Sequence, residues 1–198
     1  MLETIIAFDK ALFLKINTEW TAPFLDQIMP VWRDAKTWIF LYVLIVGWAV
    51  YKFGWRIWPW LLTIGVMMVL SDQFSSSLIK PWVARPRPCN DPEIALQVRS
   101  LLGYCRDSYS FMSSHAVNHF CIATFLIFTL KPYWGKMVYM LWFWAFSIAY
   151  GQVYVGVHFP VDITAGAITG CLFGYLFAKI FLKKIGMPQV RKLNTLAH

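Results

Sequence analysis

SYSFMSSHAVNHFCIATFLIFTLK, residues 108–131, decides the class of protein. It opens with serines and histidines and then runs apolar to Lys131, with no Asp, Glu, Lys or Arg after Asp107. A second uncharged run separates Lys136 from Asp162. About 20 mainly apolar residues suffice to cross a bilayer, and both runs are of that order. The rest of the chain agrees. Of its 198 residues, 59% are hydrophobic and only 14% charged, whereas soluble domains carry roughly a quarter charged residues. Disordered, collagen-like and disulfide-rich scaffolds are excluded. The chain reads as all-α, a polytopic transmembrane helix bundle with about five spans plus an amphipathic interfacial N-terminal helix.

Outward from that stretch, spans are expected near 37–53, 57–79, 111–130, 136–152 and 160–182. The first is short, but Lys36 and Lys52 can snorkel from its ends. Trp32, Trp38, Trp55, Trp58, Trp82 and Trp134 lie near the expected ends, where amphipathic rings prefer the headgroup level. Ahead of the spans, Leu2, Ile5, Ile6, Leu12, Phe13 and Ile16 recur at helical spacing among Asp9, Lys10, Lys15 and Glu19, the pattern of a helix lying in the interface. Glu3 and Asp9 are out of place in a secretory signal, so this segment is expected to belong to the mature protein. The whole, 1–198, is expected to be a single membrane-embedded domain. Its parts outside the spans are an interfacial segment at 1–35, an extracytoplasmic loop at 80–110 and a basic cytoplasmic tail at 183–198.

The net charge of +8 suggests nucleic acid until the charges are assigned to sides. Lys52, Arg56, Lys131, Lys136, Lys179, Lys183, Lys184, Arg191 and Lys192 fall on the face opposite the long loop. Short Lys- and Arg-rich loops stay in the cytoplasm. The expected setting is therefore a bacterial inner membrane, with the long loop facing the periplasm or exterior and the C-terminus cytoplasmic; no nucleic-acid partner and no obligate protein partner are inferred. Cys121 and Cys171 fall within spans as small apolar groups. Cys89 and Cys105 fall in the outward, oxidising loop, and a disulfide is expected between them.

Polar side chains are costly in and beside a bilayer, which makes their positions informative. KPWVARPRP, residues 80–88, gathers Lys80, Arg85 and Arg87 on a backbone stiffened by prolines, a natural phosphate grip. By default such a basic patch touches anionic lipid headgroups. Ser113 or Ser114 can cap the third span and leave its first amides free for an anion, with His115 in the first turn. In GQVYVGVHFPVD, residues 151–162, Asp162 follows His158 by four residues, a spacing that lets a carboxylate fix one imidazole nitrogen and leave the other free to attack. His119, four residues after His115, offers with His158 a metal alternative, but the companion Glu of a zinc hydrolase is missing and no metal or other cofactor is expected. Asp72, amid the second span, is expected to pair within the bundle.

Together the three stretches resemble the membrane-bound type 2 phosphatidic acid phosphatase family, whose pattern is Lys, six residues, Arg-Pro; Pro-Ser-Gly-His; and Ser-Arg, five residues, His, three residues, Asp. Lys80, Arg87 and Pro88 fit the first; Ser113 and His115 fit the second, with Met112 for proline and Ser114 for glycine; His158 and Asp162 fit the third, with Gly151 and Gln152 in place of Ser-Arg. The resemblance covers residues 37–182 and implies a metal-independent lipid phosphatase working through a phosphohistidine. It implies His158 as nucleophile, Asp162 as its orienting partner and His115 as proton donor to the leaving oxygen. Lys80, Arg87, Ser113 and Ser114 would hold phosphate. Gln152 replaces a cation at the substrate; one lost transition-state donor can cost two or three powers of ten in rate, and compensation by Arg85 or Arg106 is expected. The expected partner is a phosphorylated lipid in the bilayer, with a polyprenyl diphosphate favoured over phosphatidate, phosphatidylglycerol phosphate or lipid A phosphates. The alternatives are a lipid phosphotransferase using the same histidine and a non-catalytic lipid-binding relative.

Overall fold

The computed structural model describes residues 2–191, and Lys192 of the basic tail, like the rest of 192–198, lies outside the described residues. Within them the chain is helical, without a strand: α1 (Leu2–Leu14), α2 (Pro23–Trp32), α3 (Ile39–Phe53), α4 (Trp58–Gln73), α5 (Lys80–Val83), α6 (Ser114–Trp134), α7 (Met140–Tyr154) and α8 (Pro160–Lys184). The N-terminal segment is two helices rather than one. Ala22 is extended (φ −146°, ψ 141°) because the residue before a proline is pushed out of the helical region, and Pro23 then starts α2. Between α4 and α5 the ladder widens to a π-turn over Phe74–Ile79.

The five expected apolar stretches all carry helices. The third begins at Ser114 instead of 111, since Ser113 takes the cap position and its hydroxyl accepts from the Ala116 amide. It runs on through Pro132 to Trp134 and stops at Gly135, whose φ of 57° suits only glycine well. Two helical stretches, Ala35–Asn90 and Pro160–Lys184, are long and apolar enough to cross a membrane. Large side chains such as Phe40, Leu44, Leu62, Val69, Leu172 and Leu176 stand on the outer surface, an apolar exposure that a water-soluble monomer avoids but lipid accepts.

α6 is the central helix, buried along most of its length, and α8 is its main partner. The pairing rests on Gly166, Gly170 and Gly174, one per turn of α8. A Cβ at Gly170 would run into the Val117 carbonyl and stand 2.9 Å from the Cys121 amide; one at Gly174 would meet the Cys121 carbonyl and stand 2.8 Å from Thr124 Cβ. This is close backbone packing of the small-residue kind found between membrane helices. It brings the first turns of α6 and α8 together, where the Ser113 amide donates to the Asp162 carbonyl (3.2 Å).

The same end carries the long loop and the N-terminal segment. A disulfide joins Cys89 to Cys105. Lys10 pairs with Asp91 at 2.9 Å and Arg99 with Asp26 at 2.7 Å, while buried Asn17 holds both the amide and the carbonyl of Arg99. The N-terminal segment is thus laced to the loop.

Candidate active site

The turn between α7 and α8 is shaped by its own polar groups. Gln152 offers its carbonyl to the amides of Val157 and His158, Pro160 starts α8, and the Asp162 carboxylate accepts the Phe159 amide at 2.9 Å. The His158 ring is buried between two partners. On one side Nδ1 lies 3.3 Å from Ser110 Oγ and 3.5 Å from Asp162 Oδ2, and the Ser110 hydroxyl donates to that same carboxylate oxygen. On the other side Nε2 lies 3.3 Å from Arg87 Nη1. A guanidinium only donates, so Nε2 carries the lone pair and Nδ1 the proton, the tautomer a nucleophile at Nε2 requires. Burial pushes this ring down from the usual 6.5 to about 4, which keeps it neutral at pH 7.

Nε2 faces a cavity of about 690 Å³. One end is polar, walled by Lys80, Arg87, Arg106, Arg33, Ser114, His115, Gln152 and His158; the other runs between α3, α4 and α6 and is walled by Tyr42, Ile45, Trp60, Leu61, Ile64, Met68, Ile122 and Leu126. The shape suits a phosphorylated head joined to an apolar body. Arg87 is braced by Ser108, which accepts at its carbonyl (2.7 Å) and hydroxyl (3.0 Å), and by the Val157 carbonyl (2.9 Å). Ser114 accepts from Ser75 at 3.0 Å. Asp72 borders the cavity and accepts from Asn118 at 2.9 Å, paired within the bundle. His119 stacks near His115, its Nδ1 on the His115 carbonyl at 2.8 Å. Among the described residues, no three His, Cys, Asp or Glu side chains converge as a metal-ligand set.

Two residues expected at phosphate lie elsewhere. Arg85 is outside the cavity: one guanidinium nitrogen is on Asp162 (2.8 Å), another on Asp9 (2.6 Å), and the plane covers the Phe159 ring. It neutralises the carboxylate behind His158, so it does not compensate for Gln152. Ser113 is buried with its hydroxyl spent on the helix cap, and Ser114 takes the cavity wall. The sequence alone does not single out Ser110, Ser108 or Arg33, which the structure brings to the site. The serines carry only the weak signal of hydroxyls just upstream of a capping residue; Arg33 carries none, because its place is fixed by packing against a distant part of the chain, its carbonyl accepting from Gln152, 119 residues away.

A helical bundle holding a braced histidine at the cationic end of a cavity is an arrangement suited to a membrane-bound phosphatase, and comparison with known proteins gives that class. The profile of the PAP2 superfamily matches residues 60–185, and the chain belongs to that superfamily. It is 33% identical over 173 residues to the lipid A 4'-phosphatase of Bacteroides thetaiotaomicron, covering 86% of this chain and 75% of that protein. Against the lipid A 4'-phosphatase of Porphyromonas gingivalis the identity is 30% over 185 residues, 91% of this chain and 76% of the other. Of solved structures, the crystal structure of the PAP2-type phosphatidylglycerolphosphate phosphatase from Bacillus subtilis shares the fold, with a TM-score of 0.66 at 24% identity over 92% of this chain and 88% of that one. Aquifex aeolicus LpxE gives a TM-score of 0.61 at 26% identity, covering 85% of this chain and 93% of the other.

Proposed function

We propose that this membrane lipid phosphatase removes a phosphate monoester from a lipid A-type glycolipid through a phosphohistidine on His158. The observation that carries it is the approach of His158 Nε2 to Arg87 at the polar end of a cavity shared with Lys80 and His115. Nε2 attacks phosphorus, the phosphorus–oxygen bond to the lipid breaks, and His115 relays a proton carried in on the phosphate monoanion to the departing oxygen. Water then attacks the phosphoryl group and gives a proton to His115, the phosphorus–nitrogen bond breaks, and His115 returns that proton to the departing inorganic phosphate. Ser110 and Asp162 hold the proton on Nδ1 and stabilise the charge that develops on the ring. Lys80, Arg87, Ser114 and the first amides of α6 neutralise the phosphoryl oxygens, which is most of what phosphoryl transfer needs.

The two lipid A 4'-phosphatases favour a glycolipid substrate over the polyprenyl diphosphate expected from the short chain. We further propose five spans, with the site on the exterior side of a bacterial inner membrane, where α1, α2 and the long loop lie, and the C-terminus in the cytoplasm. The loop disulfide and the sidedness of the basic residues support that orientation.

The purified protein in detergent, offered lipid A, phosphatidylglycerol phosphate, phosphatidate and a polyprenyl diphosphate, is expected to release inorganic phosphate fastest from lipid A. His158→Ala is expected to release none while still folding. Robust release by that variant would remove the nucleophile assignment, and preference for the diphosphate would overturn the substrate.

A further inference from the structure

Arg33 is a buried cation that forms no ion pair among the described residues. It lies just past α2, is only 6% exposed, and borders the polar end of the cavity, yet its Nε has no hydrogen-bond partner. Arg106 borders the same end of the cavity and repels it, while Asp34, the next residue, attracts it without closing an ion pair. Burying a guanidinium with an unused donor beside a second cation is costly, and the cost is recovered when an anion enters the space both face.

How Arg33 is seated indicates which anion. Its Cβ would lie 3.1 Å from a Cβ on Gly151, so the missing side chain there lets it approach α7. Its carbonyl accepts from the Gln152 side chain at 3.2 Å, and the Gln152 carbonyl accepts from the His158 amide at 3.3 Å. Arg33 is therefore tied through one residue to the nucleophile. Gly151 and Gln152 occupy the places where the resembled pattern has Ser-Arg.

We infer that Arg33 supplies, from the N-terminal segment, the guanidinium that position 152 lacks, and that it binds the phosphoryl oxygens of the substrate on the His115 side of the cavity. This rests on the phosphatase reading above. The α2 segment is then part of the active site, and Gly151 with Gln152 is its socket.

Arg33→Met keeps the aliphatic stem against Gly151 and removes the charge. It is expected to lower phosphate release from the best lipid of the panel about a hundredfold, the scale of one lost transition-state donor, and to weaken inhibition by orthovanadate at least tenfold. Arg33→Lys should lose less. Adding Gln152→Arg to Arg33→Met should recover at least tenfold of the loss, whereas Gln152→Arg alone should gain less than threefold. Release by Arg33→Met within threefold of the parent, or a loss that Arg33→Lys shares in full and that Gln152→Arg does not recover, would overturn the inference. His158→Ala measured alongside separates the two levels: no release from it together with an indifferent Arg33→Met removes the role of Arg33 alone, while release from it removes the underlying mechanism.

Discussion

Ser110 Oγ stands 3.3 Å from Nδ1 of His158 and donates its own proton to Asp162, so a hydroxyl bridges the ring and the carboxylate that orients it. The direct separation of ring and carboxylate, 3.5 Å, is at the far edge of a hydrogen bond. Ser110→Ala should therefore act on chemistry more than on binding. Losing one hydrogen bond of about 1–1.5 kcal/mol corresponds to roughly a tenfold fall in kcat, with KM within a factor of two. An unchanged kcat would show that the carboxylate acts on the ring without the serine.

Burial, the main influence on His158, holds its ring at about 4 against an ordinary 6.5, and Arg87 adds to the effect. Between those values the unfolded chain binds a proton on this ring that the folded chain refuses, so acidification through this window costs stability and alkalinisation restores it. Above it the nucleophile is neutral. Histidine-labelled protein in detergent, followed by NMR, is expected to show one ring titrating near 4 whose signal is missing from His158→Ala. A midpoint near 6.5 would mean that the ring is open to water.

Composition and charge-free runs made the helical bundle legible because lipid demands continuous apolar helix, and that demand is written locally. His115, His158, Lys80 and Arg87 were legible for the related reason that polar groups at helix ends are rare and costly. What stayed hidden was set by partners distant along the chain. Arg85 and Arg87 are two residues apart and chemically alike, yet one neutralises Asp162 and Asp9 while the other reaches Nε2; only the packing of α1 and α8 around them decides which is which. Gly166, Gly170 and Gly174 carry no local signal of their role, because what they admit is the backbone of α6.

Arg85 has two carboxylates, one of them fully buried, and serves both. Burial raises Asp9 despite its bonds to Arg85 and the Val161 amide, so removing the arginine leaves two unscreened carboxylates side by side. Arg85→Ala is expected to destabilise the protein by about 3 kcal/mol, read as a lower Tm in detergent, and to slow phosphate release because Asp162 loses its anchor. Adding Asp9→Asn should return part of the Tm by removing one stranded charge, but little of the rate. Equal recovery of both would mean that Arg85 matters only for folding.

The glycines of the bundle separate packing from propensity. At Gly170 an added Cβ meets the Val117 carbonyl of α6 and comes within 2.9 Å of the Cys121 amide, whereas at Gly47 and Gly65 nothing lies within 4 Å. Alanine is the better helix former at all three, by about 1 kcal/mol. Gly47→Ala and Gly65→Ala should thus hold or raise Tm with activity intact. Gly170→Ala should lower it, because overpacking costs about 1–3 kcal/mol, and the strain has a direction: pushing α8 from α6 pulls Asp162 from the Ser113 amide and from Ser110, the contacts that position His158. Its kcat should fall more than its substrate affinity. A Gly170→Ala protein as stable and as fast as the parent would show that the two helices can part without disturbing the site.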